Sequence, residues 1–247
     1  MAEGCAMRNT NLLFGVALCL VVLLASTDAT YSAPLLSSSD KQAVFISPLE
    51  RWEPTWHRKE YVSLLENAGY HVDVVLDEDA SISFLKTGLA SYDVIVLRTD
   101  SFTYEGYSYY CAGDDVTAKS RADFAAEISQ HEVQVGACVG FSGAFIRDNY
   151  PANSLRKGLV FVVDGYSADL SSSFLKAGSA VYVGYYDANT LAWGRTDCMS
   201  LKWLSYMARG DSVKDATLNL YVYVNRGHGQ TALWPSMFSY GDVTYRL

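Results

Sequence analysis

A chain of 247 residues, half of them apolar, can bury one sizeable core, and 19 basic against 27 acidic residues leave a net charge of −8. No Lys/Arg cluster supplies the concentrated positive charge that a phosphate backbone demands, so no nucleic-acid partner is expected. Eighteen tyrosines offer apolar area with a hydrogen-bonding tip, a composition suited to half-wet contact surfaces.

The N-terminus carries a clear local signal. Arg8 precedes the apolar run LLFGVALCLVVLLA, residues 12–25, which is shorter than the ~20 residues of an untilted membrane span. Small residues just before Thr30 provide a cut site, so residues 1–29 are expected to be a secretory signal peptide and the protein to be secreted or at the cell surface. The alternative is an uncleaved anchor. The protein would then be a structural surface subunit, touching the membrane only through this segment. Residues 30–40 read as a Ser-rich spacer, and the folded domain is expected over 41–247. Cleavage would remove Cys5 and Cys19. Cys111, Cys138 and Cys198 then allow at most one disulfide, whose pairing stays open, and no spacing suggests zinc.

Within the domain, QAVFISP (42–48) is an apolar run ended by Pro48 and predicts a buried strand. In the next segment Tyr61, Leu64, Leu65 and Ala68 recur at helical spacing, with Gly69 placed to close the helix. Residues 70–77 predict a second strand, Ile82, Leu85 and Leu89 the inner face of a second helix, and YDVIVLRTD (92–100) a third strand. Residues 101–116, rich in aromatics, Gly and acids, predict a long loop or hairpin on the carboxyl edge of the sheet. A helix over 118–130 and a strand near 132–139 follow. GLVFVVDGYS (158–167) contains a further apolar strand over 158–164, succeeded by a helix at 170–177 and a strand at 180–186. Two helices ending near Gly210 and Gly227 precede a final strand at DVTYRL (242–247). Strands alternating with helices predict an α/β fold: a mostly parallel central sheet with helices on both faces.

Five segments in order carry a resemblance: YDVIVLRTD, GLVFVVDGYS, FLKAGSAVYVGYYD (174–187), MARGDSVKDA (207–216) and FSYGDVTYRL (238–247). Together they resemble the caspase-like fold of cysteine peptidases, in its gingipain-like branch. The resemblance implies a three-layer sandwich and a Cys/His pair on the carboxyl edge. A thiolate would attack the peptide carbonyl while the His assists the leaving amine. Carried over by position, the His site is Asp100 and the Cys site is Gly165, so both catalytic side chains are missing. The expectation is a non-catalytic peptidase homologue that acts by binding or surface assembly, with the Tyr-rich loop 102–110 as the contact surface for a protein or peptide.

Two enzymatic alternatives remain. Cys111 in the aromatic loop would serve as a relocated nucleophile if it had a base and a depressed pKa, and His228, flanked by glycines in RGHGQT, is the best-placed histidine. Asp100 and Asp164 would instead form a hydrolytic acid/base pair. His57, His71 and His131 are expected on solvated surfaces. Finally, Glu50, Asp77, Asp100, Asp164 and Asp187 all fall at or just past strand ends. Such acids suit a Ca²⁺ site, or they cap the helices that start on the same edge. No other cofactor is expected.

Overall fold

The computed structural model describes residues 41–52, 57–186, 193–227 and 237–247. The chain divides into Met1–Ser39 and Asp40–Leu247; the expected signal peptide and almost all of the spacer belong to the first, outside the described residues. Among the described residues no helix is long and apolar enough to cross a membrane.

In chain order the elements are β1 (Gln42–Ser47), α1 (Arg58–Asn67), β2 (His71–Leu76), α2 (Ile82–Thr87), β3 (Val94–Arg98), β4 (Ser101–Tyr104), β5 (Tyr107–Cys111), α3 (Ser120–Asp123), α4 (Ala125–Ser129), β6 (Val133–Val135) and β7 (Val139–Phe141). They continue with α5 (Gly143–Asn149), β8 (Leu159–Val163), α6 (Ser171–Ala177), β9 (Val181–Tyr185), α7 (Trp193–Met207), α8 (Val213–Gly227) and β10 (Met237–Gly241). The main sheet has the order β10-β9-β8-β3-β1-β2. All its pairings are parallel except β10 with β9. The fold is therefore α/β with a mostly parallel central sheet.

The period of two along each strand sends side chains alternately to two cores. Val44, Ile46, Ile95, Leu97, Val160 and Val162 face one layer, which holds Leu85 of α2, Phe145 of α5 and Phe174 of α6. Ala43, Phe45, Val94, Val96, Phe161 and Val183 face the other, packed by Tyr61 and Leu65 of α1, Trp203 of α7 and Leu220 of α8. Because both faces are apolar, the strands read as unbroken hydrophobic runs and not as alternation. Gly69 closes α1 with φ +89°, as its position predicts.

A second sheet, antiparallel in the order β4-β5-β7-β6, stands beside the main one. It refines two expectations. Residues 101–111 are a hairpin, and the single strand expected near 132–139 is two short strands joined by a turn. The helix expected over 118–130 is broken into the short α3 and α4. Helix α5 was not foreseen, because Gly143 weakens its helical pattern; Ser142 starts it by accepting from the Ala144 N–H at 3.0 Å.

The last strand is corrected. It is β10 and not 242–247: Gly241 turns the chain at φ +95°, and a Cβ there would lie 2.4 Å from the Ala180 carbonyl oxygen. The remaining residues leave the sheet because the carbonyls of Val243 and Tyr245 accept from the N–H groups of Lys214 and Val213. They satisfy two donors that the start of α8 leaves unpaired.

Phe161 sits in the middle of the sheet, fully buried, with its ring centroid 4.9 Å from that of Trp203. Phe161→Ala is expected to cost about 3–5 kcal/mol through lost burial and the cavity left behind, read as a lower urea midpoint at unchanged slope.

Candidate functional site at the carboxyl edge

With both faces of the sheet covered, the side chains of the inner strands β3 and β8 are buried, and the chain first reaches solvent where these strands end. The central pair, β3 and β8, run parallel with Arg98 opposite Val163, and the Thr99 N–H donates to the Val163 carbonyl at 3.3 Å. Two residues beyond that last pair lie Asp100 and Gly165, at the same level on adjoining strand ends. Asp100 is exposed and accepts from the Ser101 N–H at 2.8 Å. Gly165 is buried and offers only backbone. The two sequence positions are thus brought together, and neither carries a nucleophile or an imidazole.

Cys111 also reaches this edge. Its N–H donates to the Asp100 carbonyl at 2.8 Å and its carbonyl accepts from the Thr99 hydroxyl at 2.7 Å. It is, however, bonded to Cys138, with 5.6 Å between the Cα atoms. The relocated-nucleophile reading of Cys111 is corrected on this point, since a disulfide sulfur has no thiolate to attack with. Cys198 lies outside the disulfide. His228 falls outside the described residues, as does Asp187.

The four described acids of the expected calcium set have separate employment. Glu50 is buried and accepts from the Ser47 hydroxyl at 3.1 Å, with the Arg58 guanidinium at 3.4 Å. Asp77 accepts from the Arg51 N–H at 2.7 Å, and Asp100 from its neighbour's N–H. Asp164 accepts from the Tyr166 N–H at 3.3 Å. Among the described residues no three Asp, Glu, His or Cys side chains form a group that could hold a metal ion. Each of these acids has a hydrogen-bond donor of its own, and Glu50 also an ion pair.

Asp164 differs from the rest. It is only 5 % exposed, and burial pushes its carboxyl up to about 6. The nearby Asp100 adds to the rise, while Ser101 and the N–H groups of Tyr166 and Gly165 act against it.

The Tyr-rich stretch is half surface and half core. Tyr104 and Tyr107 are exposed, whereas Tyr109 and Tyr110 are buried. Tyr107 stacks on His131 with centroids 4.5 Å apart, so that histidine has an aromatic partner instead of lying in solvent alone. His57 and His71 contact Glu60 and Asp73. From the buried side the Tyr110 hydroxyl donates to the Tyr166 carbonyl at 2.6 Å, and the Ser108 hydroxyl to the Asp169 carboxylate at 2.6 Å. The hairpin is thereby fastened to the loop that follows β8.

Sequence reasoning missed the ion pair beneath this edge. Arg98 and Asp197 are 2 % and 3 % exposed, and the Arg98 Nε–H donates to both carboxylate oxygens at 3.1 and 3.2 Å. The Tyr61 hydroxyl donates to the same carboxylate at 3.2 Å. Burial, then Asp197, drives the Tyr61 phenol well above its ordinary range. An arginine inside an apolar strand signals a buried partner. That partner lies on α7, and nothing in the spacing identifies it.

The arrangement is an α/β scaffold with Asp100 and Gly165 just past the ends of its central strands. No family model matches the chain, and no curated protein matches it either. Among solved structures the chain is similar to the Drosophila initiator caspase Dronc, at 12 % identity and a TM-score of 0.41, over 84 % of this chain and 81 % of that one.

The disulfide joins residues 27 apart. In the chain-entropy account closure of such a loop stabilises by roughly 3–4 kcal/mol. The double variant Cys111→Ser, Cys138→Ser is expected to lose about that much in urea denaturation. Addition of a reductant should lower the parent's midpoint to the same place and leave the variant's unchanged.

Proposed function

We propose that this chain is an exported, non-catalytic homologue of gingipain-like cysteine peptidases that works by binding or surface assembly through its carboxyl edge. The observation that carries the reading is the pairing of Asp100 with Gly165 on adjoining strand ends, at the two positions where the resemblance requires His and Cys. Acyl transfer through residue 165 has no atom to form the bond. The half-cystine at 111 offers no substitute thiolate. Tyr104, Tyr107 and Tyr166, exposed around the same edge, are amphipathic surfaces of the type enriched at protein contacts.

Export rests on the apolar run 12–25 and the small residues after it. Intact mass of the secreted protein tests this directly: a chain beginning near Thr30 supports it, and a full-length chain supports the anchored alternative.

For catalysis, the expected result is no cleavage of a diverse peptide library by the purified chain, with or without calcium and with or without a thiol alkylator. Cleavage that an alkylator abolishes would overturn the reading in favour of a thiol, and resistant cleavage would favour the Asp100/Asp164 carboxylates. The double variant Asp100→His, Gly165→Cys is expected to gain labelling by a thiol-directed peptide electrophile beyond that of Asp100→His alone. A folded double variant without that gain would count against the assignment of these positions.

A further inference from the structure

Asp100 and Asp164 interact where the β4–β5 hairpin is fastened to the loop at 164–170, and Asp169, exposed on that loop, takes part in the fastening. Asp100 leads into β4, Asp164 ends β8, and Asp169 lies just before α6. Among the described residues none of the three forms an ion pair with Lys, Arg or His. Their hydrogen-bond donors are neutral: the Ser101 N–H for Asp100, the Ser101 side chain and the N–H groups of Tyr166 and Gly165 for Asp164, and the Ser108 hydroxyl for Asp169. The other titratable groups facing Asp164 are phenols, Tyr110 from β5 and Tyr182 from β9, and both sense Asp164 and Asp169 as like charge. The loop is held by these same elements. Tyr110 donates to the Tyr166 carbonyl, and Tyr182 to the Ser167 carbonyl at 2.5 Å.

From this cluster we infer that the hairpin is a pH-sensitive latch on the strand-end loop, tight when Asp164 holds a proton and loosened when it gives that proton to solvent. Ionised Asp164 is a buried charge with no cation beside it among the described residues and with Asp100 close by. Opening of the loop relieves both penalties by hydrating the carboxylate. The latch acts whatever the edge binds, so it stands or falls separately from the binding reading.

The direction follows from linkage. Asp164 in the closed loop titrates near 6, against 3.8 for a solvated Asp. The closed form therefore holds more protons than the open form between these values, and rising pH favours opening across that window. Below about 4 both forms are protonated and the latch is tightest. Above about 6 both are ionised and the effect levels off. Opening should increase by roughly tenfold or more between about pH 4.5 and 7.

Hydrogen exchange of the full chain, with rates corrected for the intrinsic pH dependence of exchange, tests this. Peptides over 99–111 and 164–170 are expected to show that rise, and β1 to show none. Asp164→Asn, which keeps an acceptor for the Tyr166 N–H and removes the titration, is expected to flatten the response and hold the latch tight at pH 7. Should that variant not fold, Asp100→Asn, at an exposed position, is expected to shrink the rise by removing the neighbouring charge. The proposal is overturned by a pH-independent hairpin in the parent, by a variant that keeps the parent's response, or by a rise in β1 that matches the hairpin's.

Discussion

Burial of the parallel sheet on both faces is the constraint from which the remaining structure follows. The apolar side chains of β1, β3, β8 and β9 are each committed to one of two cores by the period of two, and a polar side chain inside those strands must bring its own partner. Function is thereby confined to the strand ends, where the chain turns toward a helix and side chains meet water. The register that packs the sheet also fixes which residues meet there. With Arg98 opposite Val163, Asp100 and Gly165 are level, and their chemistry is decided by two residues that contribute little to the core.

Arg98 shows how far the constraint reaches. It lies in the buried part of β3 and carries a charge that burial disfavours strongly unless paired. Asp197 on α7 supplies the pair, and Tyr61 on α1 donates to the same carboxylate. One buried arginine therefore ties two helices of one layer to the end of the central strand. Exchange of such a pair for apolar side chains is often neutral in stability. The role we assign to it is orientation: α1 and α7 are fixed against the strand end that leads into Asp100.

This pattern explains what was legible in the sequence. Long apolar runs such as VIVLR and LVFVV could only be strands of a doubly covered sheet, and helical spacing placed α1 and α2 between them. That Asp100 and Gly165 follow the ends of adjoining strands needed only strand order, so it too could be read in advance. What escaped depended on partners distant in the chain. Nothing near residue 242 shows that Val243 and Tyr245 cap α8, so the tail read as a strand. Nothing near Cys111 shows that Cys138 returns to it through a hairpin turn. Asp197 looked like any helix acid. The acids at the strand ends share a position on one edge, and Glu50, Asp77 and Asp100 each meet a local donor or cation that the sequence does not reveal.

Asp164 remains outside that account, because its local donors are neutral and do not offset its burial. An acid at the exposed rim would have ionised without consequence. Here the strand that delivers Gly165 also carries Asp164 inward, under a hairpin whose buried Tyr110 and half-buried Ser108 hold the following loop. The Tyr110 and Tyr182 bonds to the loop do not involve the Asp164 carboxyl, while those from Ser101, Tyr166 and Gly165 favour its ionised form without offsetting its burial. The charge on Asp164 is the term that changes. The strand end at Gly165 thus carries, one residue away, a buried group whose protonation state bears on the geometry of the edge.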